Sequence, residues 1–198
     1  DPDPQVPRVD SVWGFGWGED VPDPEQIVAY SRALAGAVPE RVRVVEYATS
    51  LEGRSLLLLV IAAPETLARW TEVRADLDRL ADPRLTTPKE AEALARKVPA
   101  VVWIAGSVHG DEASGGDAAL ALAYHLTAGS SPEIAEILAN CVVVIDPQQN
   151  PDGRARFVAG LRQARGPVPD PEPASAEHVQ PWSGQQRPEI RSGYRLLI

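Results

Sequence analysis

Two residues with metal-binding side chains stand three positions apart in the stretch Ser107-Val108-His109-Gly110-Asp111-Glu112. His109 offers an imidazole nitrogen and Glu112 a carboxylate oxygen, and Zn²⁺ accepts both donor types in one site. A second polar stretch, Asn150-Pro151-Asp152-Gly153-Arg154, follows about forty positions later. The Arg154 guanidinium there suits a bidentate contact with a substrate carboxylate, with a structural salt bridge as its other use. Asn150 and Asp152 suit side-chain bonds to nearby backbone that hold a turn. Asp111 is either a turn residue or a supporting contact to a ligand or substrate.

Both stretches need elements that bring them together. Each follows an apolar run, residues 101–105 before His109 and 142–145 before Asn150, and each run reads as a strand. Ligands of open α/β sheets bind beyond the carboxyl ends of strands, so the two exits outline one crevice. Upstream, Asp23-Pro24 opens a helix whose apolar stripe is Ile27, Tyr30, Leu34 and Val38. Residues 42–47 and 56–62 form a hairpin-like pair of strands joined around Glu52-Gly53. Helices are expected over 64–80, 88–97, from Glu112 or Ala113 to 127, and from Ser131-Pro132 to about 140. The alternation predicts an α/β fold, a three-layer sandwich around a mixed, largely parallel sheet with residues 100–105 as its central strand. Residues 1–23 form a Pro-, Gly- and Trp-rich lead, expected to be extended and poorly ordered. Within it Trp13, Phe15 and Trp17 either pack onto the core or line a groove, packing being favoured. Residues 167–198 form a Pro-rich loop and a divergent tail.

The composition narrows the function classes. The chain has 198 residues, 44% hydrophobic and 24% charged, enough for one domain with a core. Its net charge of −9 lacks the basic stripe that nucleic acid requires. No window approaches the ~18 apolar residues of a membrane span. The one cysteine, Cys141, allows no internal disulfide and reads as a small residue in a strand rather than a reactive thiol.

His109-Gly110-Asp111-Glu112 resembles the His-x-x-Glu zinc motif of the zinc metallocarboxypeptidases of the carboxypeptidase A/B type. Asn150-Pro151-Asp152-Gly153 resembles their Asn-Pro-Asp-Gly turn, and Ser50-Leu51-Glu52-Gly53-Arg54 resembles their Ser-x-Glu-Gly-Arg hairpin element. The three occur in family order, within a domain expected over residues 24–166. The resemblance implies zinc-dependent hydrolysis of the peptide bond at a peptide's C-terminus, with His109 and Glu112 as zinc ligands and a zinc-activated water as nucleophile. It implies a peptide or protein C-terminus as substrate, and a secreted or periplasmic location.

Some family elements have no counterpart here. The third zinc-ligand His, the general-base Glu and the Asn-Arg pair that anchors a substrate carboxylate are not found, so the general base has no candidate residue. His178, in the family-like segment Glu177-His178-Val179-Gln180-Pro181-Trp182, is the remaining candidate third ligand, and His125 reads as an ordinary helical histidine. The expectation is therefore the N-terminal half of a catalytic domain followed by an unrelated tail, with a frameshift near Gly184. The alternative function is a catalytically incomplete remnant or a peptide-binding module. Without its later strands, the sheet is expected to present an open edge that favours self-association.

Overall fold

The computed structural model describes residues 2–166, 168, 170–172, 174 and 175, with the backbone of 190–192. The expectations about His178 and the Gly184 junction lie outside the described residues. Among the described residues five strands form one sheet: β1 (Val42–Ser50), β2 (Ser55–Ile61), β3 (Ala100–Ala105), β4 (Cys141–Asp146) and β5 (Ile190–Ser192). Their order is β3-β4-β2-β1-β5. The expected mixed α/β sheet is present, but its parallel share is smaller than expected. β3 and β4 pair in parallel, whereas β4–β2, β2–β1 and β1–β5 are antiparallel. The cause is connectivity: the tight Ser50–Arg54 turn forces β1 and β2 to run in opposite directions, while β3 reaches β4 through a helical crossover that restores its direction.

The helices follow their capping signals. α2 (Pro24–Ala37) starts at Asp23, whose carboxylate accepts from Gln26 N–H at 2.9 Å while the Gln26 side chain answers the Asp23 N–H. α5 (Pro88–Lys97) starts the same way at Thr87 with Glu90. The helix expected over 64–80 is two, α3 (Pro64–Ala68) and α4 (Trp70–Ala81), broken at Arg69. The Arg43 guanidinium, reaching over from β1, donates to the Leu67 carbonyl at 2.8 Å and holds the end of α3 against the sheet. α6 (Ala113–Ala128) and α7 (Pro132–Asn140) form the crossover, and α8 (Pro151–Ala164) follows β4. The Asn150–Gly153 stretch, expected as a turn, opens α8. Asn150 as N-cap with Pro151 in the first turn is the same signal that marked α2.

Two apolar layers flank the sheet. On one face α2, α6 and α7 bury Ile27, Leu34, Leu120 and Leu138 against Leu59, Ile61, Val143 and Ile145. Each such side chain contributes roughly 1.5–3 kcal/mol when fully buried. On the other face Leu58, Val60, Val142 and Val144 meet Leu67 and Trp70. The lead belongs to the first layer rather than lying extended: Val6, Val9 and Trp13 are buried there, the last two at the short helix α1 (Asp10–Trp13). Trp13 Nε1 donates to the Gln26 carbonyl at 2.8 Å, and its ring packs on Phe15, Trp17 and Tyr30. The aromatic cluster therefore packs the lead onto the core.

Among the described residues β3 lies at the edge of the sheet rather than at its expected centre. Among the described residues it has no neighbour beyond β4, and Val101, Val102 and Trp103 are 40–43% exposed. Burial that a central strand would have on both sides is missing on one. No described helix is long and apolar enough to cross a membrane.

Candidate metal centre

The exits of β3 and β4 are stitched together beyond the strands. Gly106 N–H donates to the Asp146 carbonyl at 2.8 Å, Gln149 N–H to Gly106 at 3.1 Å and Asn150 N–H to Ser107 at 3.1 Å. The chain then turns away from β3 at Ser107, whose φ of 56° is left-handed. A serine adopts that conformation only where its surroundings hold it. Ser107 Oγ donates to the Glu112 carbonyl at 3.1 Å and closes the loop that carries His109 and Glu112.

Within this loop the two expected ligands meet. His109 Nδ1 and Glu112 Oε2 are 3.2 Å apart. They are not aligned as a hydrogen bond, and Nδ1 is a buried nitrogen with no partner. Two ligands of one tetrahedral zinc, each at about 2.0–2.2 Å, stand roughly 3.3 Å from each other. An orphaned imidazole nitrogen beside a carboxylate at that distance fits two positions of a zinc site. Among the described residues no third His, Cys, Asp or Glu joins them. His125 sits near the far end of α6, thirteen residues from Glu112, about 20 Å along a helix. Asp111 lies between these two residues with its Oδ1 buried and unbonded, so its position leaves both expected roles standing.

The Asn150–Arg154 stretch braces the loop from below. Asn150 Oδ1 accepts from Gly153 N–H at 2.9 Å, and its Nδ2 donates to the Val108 carbonyl at 3.3 Å. A Cβ on Gly110 would lie 2.1 Å from the Gly153 carbonyl carbon, so the loop rests directly on the first turn of α8. Asp152 turns toward the β1–β2 hairpin. It accepts from Ser50 Oγ at 2.8 Å, Glu52 N–H at 3.2 Å and Arg54 Nη1 at 2.9 Å. Arg54 and Arg156 also pair with Glu52, and the Arg54 hydrogen bond is the main cause holding that carboxyl below its usual range. The three stretches singled out in the sequence thus form one junction.

Of the two uses expected for Arg154, its contacts are those of the structural salt bridge. Its side chain is fully buried, with Nε donating to Pro22 O at 2.8 Å, Nη1 to Ala113 O at 3.1 Å and Nη2 to Asp117 Oδ1 at 2.6 Å. All three edges of the guanidinium are used inside the protein, because the start of α6 and the approach to α2 close over it. Burial raises the Asp117 carboxyl above its usual range in spite of this partner. Asp117 was not visible as a partner in the sequence, since nothing in its spacing pointed to a residue 37 positions away. The same holds for Asp146, which ends β4. Burial raises its carboxyl to about 6, Tyr47 Oη donates to Oδ2 at 2.8 Å, and Oδ1 has no partner.

A family model described as zinc carboxypeptidase matches residues 27–166. No curated protein matches the chain. Among solved structures, that of thrombin activatable fibrinolysis inhibitor is 16% identical, with a TM-score of 0.52 over 77% of this chain and 30% of that one. The carboxypeptidase A of Helicoverpa armigera is 22% identical, with a TM-score of 0.48 over 73% of this chain and 31% of that one. The chain thus spans less than a third of either, and at 16% identity the likeness to the first of them is one of fold.

Proposed function

Because the chain belongs to the zinc carboxypeptidase family, we propose that it contributes the first part of a zinc-dependent site that hydrolyses the C-terminal peptide bond of a peptide. The observation that carries this reading is the His109–Glu112 pair, with an unbonded imidazole nitrogen 3.2 Å from a carboxylate oxygen at a strand exit. His109 and Glu112 would hold the metal, which supplies Lewis acidity for attack of water on a carbonyl. Around it, the chain's own residues keep the pair in place. Ser107 closes the loop, and Asn150 and Gly153 support it from α8.

A second reading is favoured by one observation, the absence of a third ligand among the described residues. Zinc sites use three or four protein ligands. On that reading the isolated chain binds a peptide or is a catalytically incomplete remnant, and its turnover is weak or nil.

Elemental analysis of purified protein, with His109→Ala as control, tests the first reading. About one zinc per chain, lost in the variant, supports it. Equal and negligible zinc in both overturns it. Release of C-terminal residues from a peptide, abolished by Glu112→Gln, would exclude the remnant reading.

A further inference from the structure

We propose that Asn150 is a positioning residue for His109, an inference that rests on the metal reading of the His109–Glu112 pair. Asn150 is 4% exposed and its side chain works in two directions. Oδ1 caps α8 by accepting the Gly153 N–H, while Nδ2 donates to the Val108 carbonyl, the peptide group that leads into His109. Its backbone N–H holds the preceding carbonyl, that of Ser107.

The choice of side chain follows from this double duty. Asp and Ser cap helices about as well as Asn. Of the three, Asn alone joins a carbonyl acceptor to an amide donor at the same reach. A residue needed only to start α8 would not have to be Asn. The donor is wanted because the loop it holds is under conformational constraint. Ser107 is left-handed, and two successive carbonyls, Ser107 and Val108, are fixed by this one residue. The packing is close enough to transmit the constraint: a Cβ on Gly153 would lie 2.7 Å from Asn150 Nδ2, and Gly110 lies on the Gly153–Arg154 peptide. With the Val108 peptide fixed, His109 leaves the backbone in a set direction toward Glu112. Outer groups that orient ligands in this way commonly change metal affinity by 10–100-fold.

Asn150→Asp separates the two duties, since it keeps the cap and removes the donor. Asn150→Ser does so without added charge, which guards against misfolding of the first variant. Three quantities are read on the full chain: thermal unfolding, amide hydrogen exchange of peptides covering 107–112 without metal, and Zn²⁺ affinity by competition with a chromophoric chelator. We expect exchange over 107–112 to rise about fivefold, the equivalent of one lost hydrogen bond. Zinc affinity should fall about tenfold, with the unfolding midpoint lowered by no more than the few degrees that one lost hydrogen bond costs. Unchanged exchange in that segment, or a rise spread evenly over the whole chain, overturns the proposal. His109→Ala reports separately on the metal reading: if it binds zinc as the parent does, that reading fails, while the exchange data still decide for or against Asn150.

Discussion

Ser50 and Asp152 lie 102 positions apart in the chain and share a hydrogen bond of 2.8 Å between buried side chains. Asp152 also accepts from Arg54 and from the Glu52 N–H, so one carboxylate ties the β1–β2 turn to the first turn of α8. Removing it leaves a buried hydroxyl and a partly buried guanidinium without that acceptor. Asp152→Ala should therefore cost about 2–4 kcal/mol, and Asp152→Asn, which keeps one carbonyl oxygen, less. Urea unfolding of the two variants measures this. A loss below about 0.5 kcal/mol for Asp152→Ala, within the usual range of a surface change, would show that the junction does not hold the fold.

Arg154 sits in a different balance. Burial lowers its guanidinium and raises the Asp117 carboxyl, so desolvation opposes the pair on both sides. What secures it is the geometry, with two backbone carbonyls and one carboxylate accepting from three nitrogens. Arg154→Met should destabilise by about 3–5 kcal/mol, since it strands a partly buried carboxylate and two carbonyls. Adding Asp117→Ala removes the stranded charge and should recover part of the loss, but not the part owed to Pro22 and Ala113. A double-mutant cycle measures the coupling. No recovery in the double variant would place the whole effect on the carbonyl contacts.

Asp146 makes stability depend on pH. Its carboxyl, ordinarily at 3.8, titrates at about 6 in the folded chain, chiefly because of burial. Between these values the folded chain holds a proton that the unfolded chain has released. The stability it contributes is thus complete below about pH 4 and is lost as pH rises through 6, by about 3 kcal/mol in all. Asp146→Asn keeps an acceptor for Tyr47 Oη and removes the titration. The difference in unfolding free energy between variant and parent should grow in favour of the variant from pH 4 to pH 7. A constant difference across that range would mean that Asp146 is ionised in the fold at every pH tested.

Much of this architecture is legible in local pattern. The caps at Asp23, Thr87 and Ser131, the paired strands around Glu52-Gly53, and the strand–loop arrangement ahead of His109 are short-range signals, set by periodicity and by which residues satisfy helix ends. The His109–Glu112 pair is legible for the same reason. Residues three apart on one loop need no distant contact to meet, and His109 and Glu112 do meet.

What the sequence by itself determined was therefore the mixed α/β class, most element positions and the chemistry available at the strand exits. Three things were decided only by tertiary structure. Among the described residues β3 stands at an edge, because strand order depends on which strands find partners and not on how apolar a strand is. The lead joined the core, because Val6, Val9 and Trp13 had a helical face to cover. Arg154 turned inward, because Asp117 and two carbonyls, distant in sequence, converge where α6 and the approach to α2 close over it. Each outcome depends on groups far apart in the chain, whose burial and hydrogen bonding exist only once the layers have packed.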